Sequence, residues 1–413
     1  MPPKSLHERE MYMKLKSFVT VGVACVGLAA LAGTFASSAV ADPPAISNSV
    51  VTSGSDTTQD VLNGIAKTIG GTPQTIGSWD AFTGLNPIHT HGLITPKSTA
   101  ACTNISRPNG SGDGVNSLRR AKSGTTGFPA SSAQPMSHLS TDDVATPVST
   151  PLGSLCWDAA RSSSGPAANV VDSTGGLLQF VPFALDAVSA STGPTGTTHI
   201  TNANSFTTQN LKDLYTCHAV TVGTITYTPD GGAGTTPIHL YVPQAGSGTR
   251  SFWASTLGFN GTTLPTCVHD TSEVDGTSVQ EHDGTVVAAD PDGIAPFSIA
   301  QWIAQFNHPT GVTDRRHGAV LHTLDSVTPT VTGSGGSTLL NTAYPIKREV
   351  FNVIPQSAVA SGLLHNLFVT TSSQVCSDST DIQKYGFGLL SSTTPHLCGA
   401  VDSALRAFGP STF

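Results

Sequence analysis

The chain has 413 residues, of which only 11% are charged, and its formal net charge at pH 7 is −8. This sparse, negative charge excludes general nucleic-acid binding, since such binding depends on a basic face that neutralises phosphates. The length is sufficient for a core shared by two lobes.

The N-terminal segment has the organisation of an export signal. A stretch with four basic residues, Lys4–Lys16, precedes an apolar run, Phe18–Phe35, and the motif Ala39-Val40-Ala41 follows. This order is typical of a cleaved signal peptide, so we predict removal of residues 1–41 and a secreted or cell-surface protein. Because the segment carries four basic and two acidic residues, its removal changes the formal charge from −8 to −10.

After the signal, apolar segments typical of strands alternate along the chain with segments whose apolar residues have helical spacing. Continuous or β-branched runs predict strands, and a spacing of three to four residues predicts helices. The alternation predicts an α/β fold with mostly parallel sheets and flanking helices. The predicted strands cover 49–52, 177–184, 238–242 and 348–355, and the predicted helices 57–69, 115–122, 206–215 and 294–306.

Three loops combine glycine with hydroxyl side chains and lead into predicted helices: Ser53–Asp56, Asn109–Gly114 and Gln244–Arg250. Glycine allows the backbone to approach a ligand closely, and a helix start presents free N–H groups and the positive end of its dipole. Such loops are typical of anion sites. The alternative is ordinary helix capping, for which Asp56 and Gln59 form a candidate capping box.

Two other chemistries have weaker signals. Ser247 lies between two glycines, but Ala245 replaces the first glycine of the G-x-S-x-G elbow of a hydrolase. His89 and His91 would share one face of a strand, and we interpret them as a polar strand edge. We therefore predict no catalytic residue, no metal and no cofactor.

Four loops in sequence order resemble those of the phosphate-binding proteins of ABC importers, within the type 2 periplasmic binding protein fold. The resemblance spans most of residues 46–360. It implies two α/β lobes joined by two crossing strands, with the ligand in the cleft; lobe 1 would contain 42–186 and 345–413, and lobe 2 would contain 187–344. The matching segments are Ser53–Thr58, Gly110–Gly114, Asp158–Ser163 and Gly246–Thr249.

The resemblance also implies which residues contact the oxyanion. Two positions differ from the family: Ser163 replaces an aspartate that accepts a proton from the ligand, and Pro243 replaces an arginine. The contacts it implies are Asp56 or Thr57 from the first loop, then Ser111, Ser162, Ser247, Gly248 and Thr249.

Other residues of the same loops are candidates to replace the lost groups. Arg250 or Arg161 would restore a charged donor, and an arginine pairs with an oxyanion through two parallel hydrogen bonds. Asp56 or Asp113 would restore the proton acceptor. For each of these residues an ordinary capping, turn or solvent-exposed role is the alternative.

Six cysteines remain after the signal, and an even number in an exported chain predicts three disulfides. No C-x-x-C motif occurs. We predict pairs that each lie within one inferred lobe and close a loop of moderate length: Cys102–Cys156, Cys217–Cys267 and Cys376–Cys398.

The sequence therefore predicts a monomeric, exported solute-binding protein without catalytic activity. The predicted ligand is a small oxyanion, phosphate first, and the resemblance implies an ABC permease as partner. The alternative is an extracellular structural or adhesive protein that keeps the fold with a degenerate cleft. The sequence before Cys25 is a poor lipoprotein signal, and the lack of such a tether favours this alternative.

Overall fold

The computed structural model describes residues 50–71, 74–81, 93–130, 150–309 and 311–413, all within one compact unit, Ser38–Phe413. The predicted signal peptide, its cleavage site, and His89 and His91 lie outside these ranges. Among the described residues, no helix is both long and apolar enough to span a membrane.

Most of the described strands belong to one twelve-stranded sheet, with the order β2-β1-β5-β15-β6-β11-β9-β8-β7; β10 pairs with β9, and β12 and β16 pair with β6. The strands are β1 Val50–Gly54, β2 Ile76–Ser78, β3 Leu93–Ile94, β4 Ile105–Ser106, β5 Ala159–Ser162, β6 Leu178–Thr192, β7 Val220–Val222, β8 Ile225–Pro229, β9 Thr236–Tyr241, β10 Val268–His269, β11 Gly293–Ser298, β12 Val320–Leu321, β13 Thr330–Thr332, β14 Thr338–Leu340, β15 Lys347–Pro355 and β16 Arg406–Ala407.

Helices cover the sheet. They are α1 Gln59–Ile69, α2 Ser111–Lys122, α3 Thr208–Tyr215, α4 Gly248–Leu257, α5 Thr285–Ala289, α6 Ile299–Asn307, α7 Leu363–Phe368, α8 Gln374–Ser377 and α9 Ser379–Lys384.

The sheet has two halves that are joined by long central strands. In the first half (β1, β2, β5), β1 pairs in parallel with β2 and β5. In the second half (β7–β11), β9 pairs in parallel with β8, β10 and β11. Between them, β6 and β15 pair antiparallel over most of their length. The predicted α/β class with two crossing strands is therefore confirmed.

The core lies on both faces of the sheet. Neighbouring residues of a strand point to opposite faces: Val50 packs in the cluster that contains Leu62 of α1, and Val51 in the one that contains Leu118 of α2. All fifteen residues of β6 are buried. A central strand of a sheet that is covered on both faces is buried along its whole length.

The three predicted disulfides, Cys102–Cys156, Cys217–Cys267 and Cys376–Cys398, are confirmed. They join positions 54, 50 and 22 residues apart. Loops of this length correspond to about 3–4 kcal/mol of stabilisation each, through restriction of the unfolded chain.

Two local predictions are wrong. The predicted helix 294–306 is a strand, β11, followed by a helix, α6, whose N-cap Ser298 accepts a hydrogen bond from the amide of Gln301. A short buried apolar run fits either a strand or a helix, so the spacing of its apolar residues could not distinguish the two. The capping box of Asp56 and Gln59 is also absent: Thr58 is the N-cap of α1, and the side chain of Gln59 accepts a hydrogen bond from the amide of Ala81.

Candidate functional site

The predicted ligand loops meet at the centre of the molecule. The loops after β1, β5 and β9 leave the carboxyl ends of strands, where ligands bind in open α/β sheets. Helices α2 and α4 begin at the same place, and the amide of Gly112 in α2 donates to the carbonyl of Gly246 before α4 (3.1 Å). The N-termini of two helices from different halves therefore face one another.

Ser111, Ser163 and Gly248 form the tightest contact between these loops. The amide of Ser163 donates to Oγ of Ser111 (3.0 Å), and the two hydroxyl oxygens lie 3.2 Å apart. A Cβ added to Gly248 would lie 2.3 Å from the hydroxyl oxygen of Ser111 and 2.4 Å from that of Ser163. Only a glycine at position 248 permits this approach without a shift of both serines.

Thr57 and Thr249 meet on the other side of the same contact. Their hydroxyl oxygens lie 3.4 Å apart, and that of Thr57 lies 2.8 Å from Nε2 of His282. All three side chains are buried. The first and last predicted loops are therefore adjacent, and His282 contacts Thr57 of the first loop.

The arginine beside these loops is Arg348, in β15. Its Nη2 donates to Thr249 Oγ1 (2.9 Å) and to Asp186 Oδ2 (2.9 Å), and its Nε donates to the same carboxylate oxygen (3.1 Å). Nη1 is buried and has no hydrogen-bond partner among the described residues. Burial lowers the pKa of Arg348, and the carboxylate of Asp186 opposes that shift. Nη1 is therefore a buried donor with no protein partner among the described residues.

Sequence reasoning did not select Arg348, although this residue begins the strand predicted at 348–355. The usable signal was a pair of charged residues, Arg348 and Glu349, directly before the largely apolar run Val350–Pro355.

A carboxylate of the protein itself occupies the N-terminus of α4. Oε1 of Glu281 accepts hydrogen bonds from the hydroxyl of Ser247 and from the amide of Thr249 (2.8 Å). Glu281 is fully buried, and no motif in the sequence pointed to it. Two of the residues that the resemblance assigned to a ligand, Ser247 and Thr249, therefore donate to a carboxyl group of the protein itself.

Arg250 and Arg161, the sequence candidates for a charged donor, have structural partners. Arg250 donates to Asp270 (2.6 Å) and to the carbonyls of Gly261 and Pro243. Arg161 donates to the carbonyl of Ser55 and to the hydroxyl of Ser78. The contacts of Arg250 direct it away from the hydroxyl groups of the ligand loops. Those of Arg161 fix the first loop, through the carbonyl of Ser55.

Ser162, Asp113 and Asp56 have different surroundings. The hydroxyl of Ser162 donates to the carbonyl of Ser164 (2.7 Å), and Asp113 is buried in the first turn of α2. Asp56 is completely buried, and neither of its carboxylate oxygens has a hydrogen-bond partner in the described ranges. Burial raises the pKa of Asp56 to about 7, against the opposing charge of Arg315. It is therefore able to exchange a proton near neutral pH.

Two groups of side chains have the composition of a metal site: Asp56, Glu281 and His282, which are buried, and Asp230, His269 and Glu273, which lie nearer the surface. In the first group, the amide of Ser298 donates to Nδ1 of His282 (3.3 Å). Burial, with the charges of Arg348 and Arg315, lowers the pKa of His282 well below its usual value. The neutral ring therefore carries its proton on Nε2, which leaves no lone pair there for a metal. The absence of a metal site stays a prediction.

A cavity of about 800 Å³ opens beside the loops. Ser111, Ser247, Gly248 and Arg348 line it, and its other walls are mostly apolar. Polar groups from both halves of the sheet therefore share one cavity with the central strand β15.

No family model and no curated protein matches the sequence. Among solved structures, the chain is similar to an ABC-type phosphate transport receptor from Vibrio cholerae (14% identity, TM-score 0.44, 83% of this chain and 100% of that chain). It is also similar to a phosphate-binding protein from Stenotrophomonas maltophilia (13% identity, TM-score 0.39, 84% of this chain and 91% of that chain). A third similar structure is PstS from Borrelia burgdorferi (15% identity, TM-score 0.39, 83% of this chain and 98% of that chain). The names of these three proteins are those of the family that the loop motifs resemble.

Proposed function

We propose that this chain is an exported solute-binding protein without catalytic activity, and that its cleft binds a small oxyanion, phosphate being the first candidate. The observation that carries this proposal is the meeting of Ser111 and Ser163 with Gly248, from opposite halves of the sheet, beside Arg348. Ser111, Gly248 and Arg348 line the same cavity, and Nη1 of the arginine has no partner among the described residues.

Local donors are sufficient for such a site despite the negative net charge. A hydrogen bond to a charged group contributes roughly 1.5–3 kcal/mol, and each helix N-terminus contributes about 0.3–1 kcal/mol more. Glu281 already occupies the donors at Ser247 and Thr249, so we assign the ligand to Ser111, Ser163, Gly248 and Arg348. A few such contacts correspond to micromolar affinity once association costs are included.

In this function the chain acts as a monomer that delivers its solute to an ABC permease, the partner that the loop resemblance implies. Light scattering after size-exclusion chromatography measures the oligomeric state, and co-purification with a membrane fraction measures binding to a permease. A chain that fails to bind solute would instead favour the structural or adhesive alternative.

Calorimetric titration of the dialysed mature chain with phosphate and with sulfate tests the proposal. We expect phosphate to bind, and Ser111→Ala to weaken binding by roughly 1.5–3 kcal/mol, the value of one hydrogen bond to a charged group. Ser255→Ala is the matched control, because this serine lines the cavity but donates to the carbonyl of Phe252 in its own helix. Absence of heat with both anions, or equal losses in the two variants, would contradict the assignment.

A further inference from the structure

The cavity is much larger than the oxyanion assigned to it. Its volume is about 800 Å³, whereas cavities of roughly 300–1,000 Å³ typically enclose organic ligands of drug size. A single phosphate or sulfate ion would occupy only a small part of this space. The remaining volume requires another occupant or stays filled with water against apolar walls.

Those walls are built from aromatic and branched side chains of several elements. They include Val115 of α2, Phe252 of α4, Phe351 of β15 and Phe408 near the C-terminus. Apolar surface of this kind gains free energy when a ligand displaces water from it, and aromatic rings favour flat ligand groups. The guanidinium carbon of Arg348 lies 5.3 Å from the centre of the Phe252 ring, so the charged group and the apolar wall are contiguous.

Two basic residues and one acidic residue line the cavity. Lys347, Arg348 and Glu349 all line it. The carboxylate of Glu349 is bound to His396, which donates its amide to Oε1 (2.8 Å) and places Nδ1 2.7 Å from Oε2. Arg348 is itself paired with Asp186, so Lys347 is the cation that an incoming anion meets without a carboxylate partner among the described residues.

We propose that the solute of this cavity is a small organic phosphate, an anionic phosphoryl group joined to an aromatic or branched apolar body. The phosphoryl oxygens lie against Ser111, Gly248 and Arg348, and the apolar body lies between Phe252 and Phe351. This inference rests on the proposed oxyanion function and specifies its ligand class.

Competitive calorimetry on the mature chain tests it with orthophosphate, phenyl phosphate, 1-naphthyl phosphate and 1-naphthol. We expect 1-naphthyl phosphate to bind roughly tenfold or more tightly than orthophosphate, since its ring system buries apolar area, and phenyl phosphate to fall between them. We expect 1-naphthol, which lacks the anion, to bind more weakly than either ester. If no phosphate compound binds, the proposed function fails; if orthophosphate binds as tightly as both esters, only this inference fails.

Variants at the apolar wall provide the second readout, the ratio of ester affinity to orthophosphate affinity. Phe252→Ala should reduce this ratio roughly tenfold, because it removes one wall. Ala168→Trp, at an exposed position that lines the cavity, should also reduce this ratio, because the larger side chain fills the space. It does not alter the core, so it still tests the proposal if Phe252→Ala does not fold. Phe306→Ala removes an equally large, half-exposed ring that stacks on Trp302, and it should leave the ratio unchanged. A ratio that is equal in wild type and in both cavity variants would overturn the proposal.

Discussion

Replacement of Arg348 by methionine should destabilise the protein and abolish anion binding together. Arg348 and Asp186 lie on the two central strands, β15 and β6, and their side chains form a buried ion pair at 2.9 Å. Arg348 is 5% exposed and Asp186 is not exposed. Arg348→Met preserves much of the side-chain volume but leaves the carboxylate of Asp186 without its cation.

The magnitude follows from this burial. Removal of one partner from a buried ion pair costs about 3–5 kcal/mol, because the other charge stays uncompensated. Asp186 keeps the hydroxyl of Ser298 (2.8 Å) and the amide of Ala300 (3.2 Å) as donors, so we expect the lower end, about 3 kcal/mol. Domains have total stabilities of roughly 5–15 kcal/mol, and the variant should therefore still fold at room temperature.

Urea denaturation followed by tryptophan fluorescence measures the loss, and calorimetry measures phosphate binding. Arg250→Met is the matched control. The partner of Arg250, Asp270, is 41% exposed, and with two carbonyl contacts also lost, we expect a cost of about 1–2 kcal/mol and unchanged phosphate affinity. Asp186→Asn in the Arg348→Met background should recover part of the stability. Equal losses in the two arginine variants, or phosphate binding that survives Arg348→Met, would refute this reasoning.

Three further predictions concern packing, pH and processing. Gly114→Ala should lower the free energy of unfolding by about 1–3 kcal/mol, because its Cβ would lie 2.4 Å from Cα of Gly54 and 2.8 Å from the carbonyl of Ser53; a thermal midpoint equal to that of wild type would contradict it. Burial lowers the pKa of His322 to about 4, so the unfolded chain binds more protons between about pH 4 and 6.5 and stability falls as the pH decreases through this range. His322→Asn should reduce the fall in the free energy of unfolding between pH 7 and pH 5 by roughly 2 kcal/mol. Urea unfolding at both pH values measures this fall, and an equal fall in wild type and variant would show that His322 does not cause it. The intact mass of secreted protein should correspond to an N-terminus at Asp42, and a mass that retains the segment before it would disprove the cleavage site.

Local chemistry in the sequence was sufficient for the α/β class, the glycine and hydroxyl loops and the disulfides. Loop residues such as Ser111 and Gly248 could be found because helix starts and close backbone approaches require particular residue types. The cysteine pairs followed from an even count, from moderate loop lengths and from the lobe boundaries that the resemblance implied. Where the local signal was ambiguous, as in the apolar run at 294–306, prediction failed because strand and helix tolerate the same short sequence.

Contacts between distant residues were decided by the tertiary structure alone. His282 is 225 residues from Thr57 in the chain, and Arg348 is 99 residues from Thr249, yet each pair is in contact because β15 and β6 run between the two halves of the sheet. Glu281 occupies the N-terminus of α4 only because its loop folds back over that helix. The glycine and hydroxyl loop Gln244–Arg250 predicts that a helix starts there, but not which face of that helix meets Asp270. The sequence by itself determined the loops that surround the cleft; the order of the strands determined which charges those loops enclose.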